Sequence, residues 1–304
     1  MTYGGIYRDV YIDVKPMTYI RDTFVKPLEV LTAAKRVDTS VTIELEEAGA
    51  FNHKYQHSQV MTYKDAVVYE GDKIELGVEN TNSYICRDIS FSLGEINLWS
   101  PEEPELYKVI TKLYEDGIEI DEVEVVTAFR TAEFRTDGFY LNGIKYKIRG
   151  LNRHQSFPYV GYAMPDRPQV NDVHILKKEL GVNAVRTSHY PQSQGFVDAC
   201  DKEGLLVFTE LRGWQHIGDD EWKDVAITSI REMVLQYRNH PSIILWGVRI
   251  NESQDDDEFY TKTNKLAHEL DPTRQTGGVR CFKKMNLLED VYTYNVFVYI
   301  QEKT

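Results

Sequence analysis

The hydrophobic pattern changes its period once, near Gly138, and that change limits the fold more than any other feature. Before it the chain alternates. In RVDTSVTIELE, Val37, Thr39, Val41, Ile43 and Leu45 fall on one side, the period of two of a half-buried strand. LYKVITKLYEDGIEIDEVEVV reads as two strands joined at Asp116-Gly117, a dipeptide that accepts the positive φ angles of a tight hairpin. Short strands at regular spacing from about Thr18 to Thr131 predict an antiparallel β-sandwich.

After Gly138, strand and helix patterns take turns. FYLNGIKYKIRG turns at Asn142-Gly143 and continues as a strand. NDVHILKKELG sets Val173, Leu176 and Leu180 on one helical face, with Asn171 as cap and Gly181 as stop. SQGFVDACDKEG repeats this with Phe196, Cys200 and the stop Gly204. A longer helix presents Trp222, Val225, Ile230, Met233 and Tyr237, and EFYTKTNKLAHEL gives another. SIILWGV is apolar without a break, as expected of a parallel strand covered on both faces. Strands are expected at 144–150, 183–187, 205–209, 242–249, 274–279 and 291–295. Repeated β/α units predict a parallel barrel. Six strands fall short of eight, and residues 138–304 fall short of the ~250 of a complete barrel.

The chain has 304 residues, with 48 acidic against 35 basic and a net charge of −13. An acidic chain without a basic tract repels phosphate backbones, which argues against a nucleic-acid partner. No apolar run reaches the ~18 residues of a membrane span, and no signal-peptide pattern opens the chain. A cytoplasmic location and no membrane partner are therefore expected. Cys86, Cys200 and Cys281 are odd in number and far apart, which points to neither a disulfide framework nor a zinc site. The 20 tyrosines suit a sugar cleft, but they suit a β-rich protein equally.

In a (β/α) barrel, reactive groups stand at the C-terminal ends of the strands. Those ends read Asn152-Arg153-His154, Arg186 through Tyr190, Glu210, Asn251-Glu252 and Tyr294-Asn295. This donor-rich set suits a neutral polyhydroxylated ligand. GxGxxG after a strand, GxxxxGK[ST] and GxSxG are all missing, which disfavours dinucleotide enzymes, nucleotidases and α/β-hydrolases. Glu252 ends the most apolar strand, where burial would raise its pKa toward that of a general acid. The competing reading is an exposed loop glutamate, because it opens the acidic run ESQDDDE. His154 and His189 lack further ligands at metal spacing, so they read as hydrogen-bonding cleft residues. Glu210 reads as a structural partner for a cleft Arg or His. Asp255-Asp256-Asp257 reads as a solvated helix start.

Together these stretches resemble glycoside hydrolase family 2, in its β-galactosidase-like branch. The motifs are GGIYRDVYI, LWSPEEPELY, GFYLNGIKYKIRGLNRHQ, NAVRTSHYPQS, FTELRGWQ and NHPSIILWGVRINES, in that order along the chain. The resemblance implies a remnant of a jelly-roll sugar-binding domain over 1–17 and an immunoglobulin-like β-sandwich over 18–135. It implies an incomplete (β/α)8 TIM barrel of about six strands over 136–304. By the same resemblance the function is a retaining β-glycosidase hydrolysing terminal β-D-galactosides by double displacement. Glu252 would be its acid/base, and Asn251 would bind the sugar 2-hydroxyl. Arg186, His189 and Tyr294 would line the cleft by the resemblance, and His154 and Glu210 join them from the strand ends. β-Glucuronides or β-mannosides are the alternative substrates, and a non-catalytic carbohydrate-binding subunit is the alternative function. The family's nucleophile follows the seventh strand and is expected to be missing, so a chain cut at both ends is expected. The resemblance admits a magnesium ion. The expected partner is a carbohydrate substrate, with a second copy or a complementing chain besides.

Overall fold

A computed structural model describes residues 5–33, 35–45, 53–77, 84–280 and 286–295. Cys281 lies outside the described residues, and so does the segment after Asn295. Residues 5–18 form no helix or strand and pair with no strand among the described residues. Part of the expected GGIYRDVYI strand lies in that segment, where it has no neighbour to complete a hydrogen-bond ladder. Arg8 ties the segment to the barrel by donating to Gln155.

The alternating half forms the sandwich. One sheet holds β1 (Tyr19–Leu28), β2 (Lys35–Glu44) and β6 (Tyr84–Leu93) in the order β1-β2-β6. The other holds β3 (Tyr55–Tyr63), β4 (Ala66–Glu70), β5 (Ile74–Leu76), β7 (Tyr107–Glu115) and β8 (Ile118–Thr127), in the order β4-β3-β7-β8 with β5 also on β3. Val37, Thr39, Val41, Ile43 and Leu45 all face the core, each at most 5% exposed. Asp116 and Gly117 both have positive φ at the β7–β8 turn, as the dipeptide predicts.

A small sheet follows, of β9 (Ala132–Arg135), β10 (Gly138–Leu141) and β11 (Ile144–Lys145), turning at Asn142-Gly143. Its Phe139 and Leu141 pack with Ala184, Leu206 and Ile244, which begin the barrel strands. The hairpin therefore plugs the end of the barrel opposite the candidate site. Trp99 is fully buried beside it and donates to the Asp201 carbonyl at 2.9 Å, joining sandwich to barrel.

The barrel strands are β12 (Gly150–Arg153), β13 (Ala184–Thr187), β14 (Leu206–Glu210), β15 (Ile243–Gly247), β16 (Gln275–Arg280) and β17 (Val291–Tyr294), all parallel and in sequential order. Their helices are α1 (Asp166–His174), α2 (Gln194–Glu203), α3 (Asp220–Tyr237) and α4 (Asp257–Leu270). Among the described residues β12 bonds only β13 and β17 only β16, so the sheet is an open half-barrel. All five residues of β15 are buried, as a strand covered on both faces must be.

Four local expectations are corrected. The expected strand 144–150 is divided: Ile144 and Lys145 belong to the hairpin, and the barrel strand starts at Gly150. The turn at Asn142-Gly143 claims the first part, and parallel pairing to β13 claims only the last. Asn171 does not cap α1, which begins five residues earlier after Pro165 and ends in a π turn over Ile175–Glu179. Pro168 fits because first-turn N–H groups have no helical partner anyway. Val225 points outward at 62% exposure, and the small Ala226 faces the core with Ile230, Met233 and Tyr237. Asp255 is not a freely solvated carboxylate but a partly buried one that pairs with buried Arg249, while Asp256 caps α4 by accepting from Phe259 N at 3.0 Å.

Candidate active site

Parallel pairing brings every strand's C-terminal end to one mouth, where apolar runs give way to polar side chains. Arg186, near the end of β13, is the centre of the network there. Its Nε donates to Glu210 Oε1 at 2.9 Å, and its Nη2 donates to Asn251 Oδ1 at 2.6 Å. Glu210 ends β14 with 1% of its side chain exposed. His189 Nδ1 lies 3.1 Å from Glu210 Oε2 and 3.2 Å from Arg186 Nη2. One ring nitrogen cannot donate to the carboxylate and accept from the guanidinium together. Donation to Glu210 leaves Nε2 with a lone pair, and that atom faces Asn251 Nδ2 at 3.4 Å. Arg186, His189, Glu210 and Asn251 thus form one network, with both Glu210 oxygens engaged. The peptide before His189 is cis.

Glu252 follows Asn251 at the rim. Its backbone has φ +54°, and its N–H donates to Val279 O at 2.9 Å. Three side chains donate to its carboxylate: Asn295 Nδ2 to Oε1 at 2.5 Å, Trp214 Nε1 to Oε2 at 3.3 Å and Gln215 Nε2 to Oε2 at 3.4 Å. Burial pushes its pKa up, but these donors and the nearby His189 outweigh burial and hold the carboxyl below the ordinary glutamate value. The Gln215 N–H also donates to Asn251 O at 2.8 Å, so the loop after β14 braces the loop after β15.

His154, just past β12, packs edge-on against His189 with ring centroids 5.4 Å apart. Burial, then the charges of His189 and Arg186, lower its pKa. Tyr294 stands at the end of β17 with its ring beside Tyr292. Its neighbour Asn295 is the residue that grips Glu252. Asn295 belongs to the last strand end that the sequence offers, together with Tyr294, whereas Trp214 and Gln215 lie in the FTELRGWQ motif without being among the expected cleft residues.

The groups around Glu252 do not fit magnesium. That ion needs a near-octahedral set of oxygens, whereas Glu252 is surrounded by N–H donors. Among the described residues, one group has metal-ligand proximity: Asp198, Asp201 and His240. It sits near the start of β15, at the other end of the barrel. There His240 Nδ1 bonds Asp201 at 2.5 Å and Gln194 reaches His240 Nε2 at 2.9 Å.

The sandwich, the half-barrel and the polar mouth at the strand ends define the class as a β-sandwich followed by a (β/α) half-barrel. Family models agree: "Glycosyl hydrolases family 2" matches residues 18–130, and "Glycosyl hydrolases family 2, TIM barrel domain" matches 132–303. The chain belongs to glycoside hydrolase family 2. A β-galactosidase of Thermoanaerobacterium thermosulfurigenes is 47% identical over 98% of this chain and 41% of its own length. One from Rhizobium meliloti is 38% identical over 98% of this chain and 39% of its own length. The chain thus spans about two fifths of these relatives. The structure of Bacteroides uniformis beta-glucuronidase 3 superposes with TM-score 0.79 at 28% identity, over 97% of this chain and 37% of that one. Among the described residues no helix is long and apolar enough to cross a membrane.

Proposed function

We propose that this chain carries the proton-transfer half of a retaining β-glycosidase site. Glu252 is its acid/base, and terminal β-D-galactosides are its substrates. The observation that carries the reading is the position of Glu252, at the barrel mouth beside the Arg186–Glu210–His189–Asn251 network. In double displacement, a protonated Glu252 gives its proton to the glycosidic oxygen as the bond to the anomeric carbon breaks. The resulting carboxylate then takes a proton from the water that releases the sugar. Asn251 and Arg186 present the amide and guanidinium that hold the sugar hydroxyls, with His189 and His154 on the flank.

The second carboxylate, ~5–5.5 Å from the first in retaining enzymes, attacks the anomeric carbon. Glu210 does not suit that role, because it is buried with both oxygens engaged. We therefore assign the nucleophile to none of the described residues. Galactosides are favoured over glucuronides because Arg186 is already paired with Glu210, leaving it poorly placed to neutralise a sugar carboxylate. The matched β-galactosidases lean the same way.

The test is a panel of aryl β-glycosides, given to this chain and to one extended by two further barrel strands. The expected result is galactoside cleavage by the extended chain only. A preference for glucuronides or mannosides would overturn the substrate reading. Binding of sugar without cleavage by either chain would favour a carbohydrate-binding subunit.

A further inference from the structure

Behind the mouth, four charged side chains form a connected series that the proposed mechanism does not use. Arg249 and Arg280 are each 1% exposed, and Glu289 is 4% exposed. Arg280 Nη2 donates to Glu289 Oε2 at 2.5 Å, and Glu289 Oε1 faces Arg249 Nη1 at 3.5 Å. Arg249 Nη2 in turn pairs with the Asp255 carboxylate. The Arg249 guanidinium lies 4.2 Å from the ring centre of Tyr260 on α4. Gly278 on β16 makes room for it, since a Cβ there would come 2.3 Å from Arg249 Cβ.

Burying ions costs several kcal/mol each, and apolar residues of similar volume often stabilise a core as well or better. The placement of these ions gives them another use. Arg249 and Asp255 are the two ends of the bend that carries Asn251 and Glu252, and Arg249 also reaches the Gln254 carbonyl at 3.4 Å. Glu289 stands just before β17, whose end delivers Asn295 to Glu252 Oε1. The segment bearing Glu252 and the segment bearing its strongest donor therefore hang on one guanidinium. A non-glycine residue keeps positive φ, as Glu252 does, only when its surroundings over-determine it.

We propose that Arg249 and Glu289 are positioning residues for Glu252, holding its loop and the Asn295 strand in register through the series Asp255–Arg249–Glu289–Arg280. This rests on the reading of Glu252 as the acid/base, but its test does not use turnover. Carboxyl-carbon NMR follows the titration of Glu252, whose signal is assigned by its loss in Glu252→Gln. Arg249→Met, Glu289→Gln and Asp255→Asn are each compared with the native chain. The control is Asp271→Asn, which breaks the 2.6 Å pair with Arg274 far from the mouth. In the three test variants the Glu252 titration moves up toward that of an ordinary glutamate, and the Asn295 amide signals shift. In the control, thermal stability falls and both signals stay in place. Asp255 keeps some solvent access, so Asp255→Asn decides the matter if Arg249→Met does not fold. An unchanged Glu252 titration in folded Asp255→Asn would overturn the proposal, as would an equal shift in the control. Lack of glycosidase activity in the chain extended by two further strands would refute the functional reading and leave this result as measured.

Discussion

His57 gives the sandwich a measurable acid weakness. It lies in β3 opposite Leu113 and Ile74, fully buried, and neither ring nitrogen has a hydrogen-bond partner. Burial, and then the charge of Arg87, lower its pKa to about 4 from 6.5. Above pH 6.5 the ring is neutral in both folded and unfolded chains, and stability is full. Between 6.5 and about 4 the unfolded chain takes up a proton that the folded chain refuses, so stability falls by about 1.4 kcal/mol per pH unit. Across that interval the loss is roughly 3 kcal/mol, and below it this contribution is flat. His57→Leu removes the titration and an unsatisfied buried polar group, whose penalty is about 1–3 kcal/mol. Urea unfolding followed by circular dichroism at pH 7 and pH 4 measures both chains. The variant is at least as stable at pH 7, and the native chain loses roughly 3 kcal/mol more on acidification. Parallel stability curves for the two chains would refute the reasoning.

Other outcomes follow from the site. Glu210→Gln leaves Arg186 without its buried carboxylate and costs about 3–5 kcal/mol in urea unfolding at pH 7. Asn295→Ala removes the shortest bond to the Glu252 carboxylate, so carboxyl NMR finds Glu252 titrating higher than in the native chain. The chain alone cleaves aryl β-galactosides at least on the order of 10⁴-fold more slowly than an intact relative, since general acid help alone contributes ~10²–10⁴-fold. Azide or formate, placed where the attacking carboxylate would stand, partly restores cleavage of an activated substrate. Robust turnover without such an anion would point to Glu210 as nucleophile after all.

Features written in local period were legible in the sequence. Val37 to Leu45 alternate because one face of β2 meets the core. Asp116-Gly117 and Asn142-Gly143 turn because their backbones accept positive φ. SIILWGV is apolar throughout because β15 is buried on both faces, and Glu252 stands just past the end of that run. What escaped depends on neighbours distant along the chain. Trp214 and Gln215 reach Glu252 from the loop after β14, 38 and 37 residues away, and the pairing of Asn295 with Glu252 spans 43 residues; no periodicity marks such contacts. Asp255 looked solvated because its partner is a buried arginine on the other side of the bend. The start of α1 was missed because Asn171 resembled a cap, while the true signal was the pair of prolines at 165 and 168.

The measurement that bears most directly on Glu252 as the proton donor is the leaving-group dependence of Glu252→Gln in the extended chain. A phenyl β-galactoside needs its leaving oxygen protonated, whereas a dinitrophenyl β-galactoside does not. With Glu252 as proton donor, the substitution slows glycosidic cleavage of the phenyl substrate by ~10²–10⁴-fold and hardly affects that step for the dinitrophenyl one. An equal loss on both substrates, or no loss on either, would contradict it.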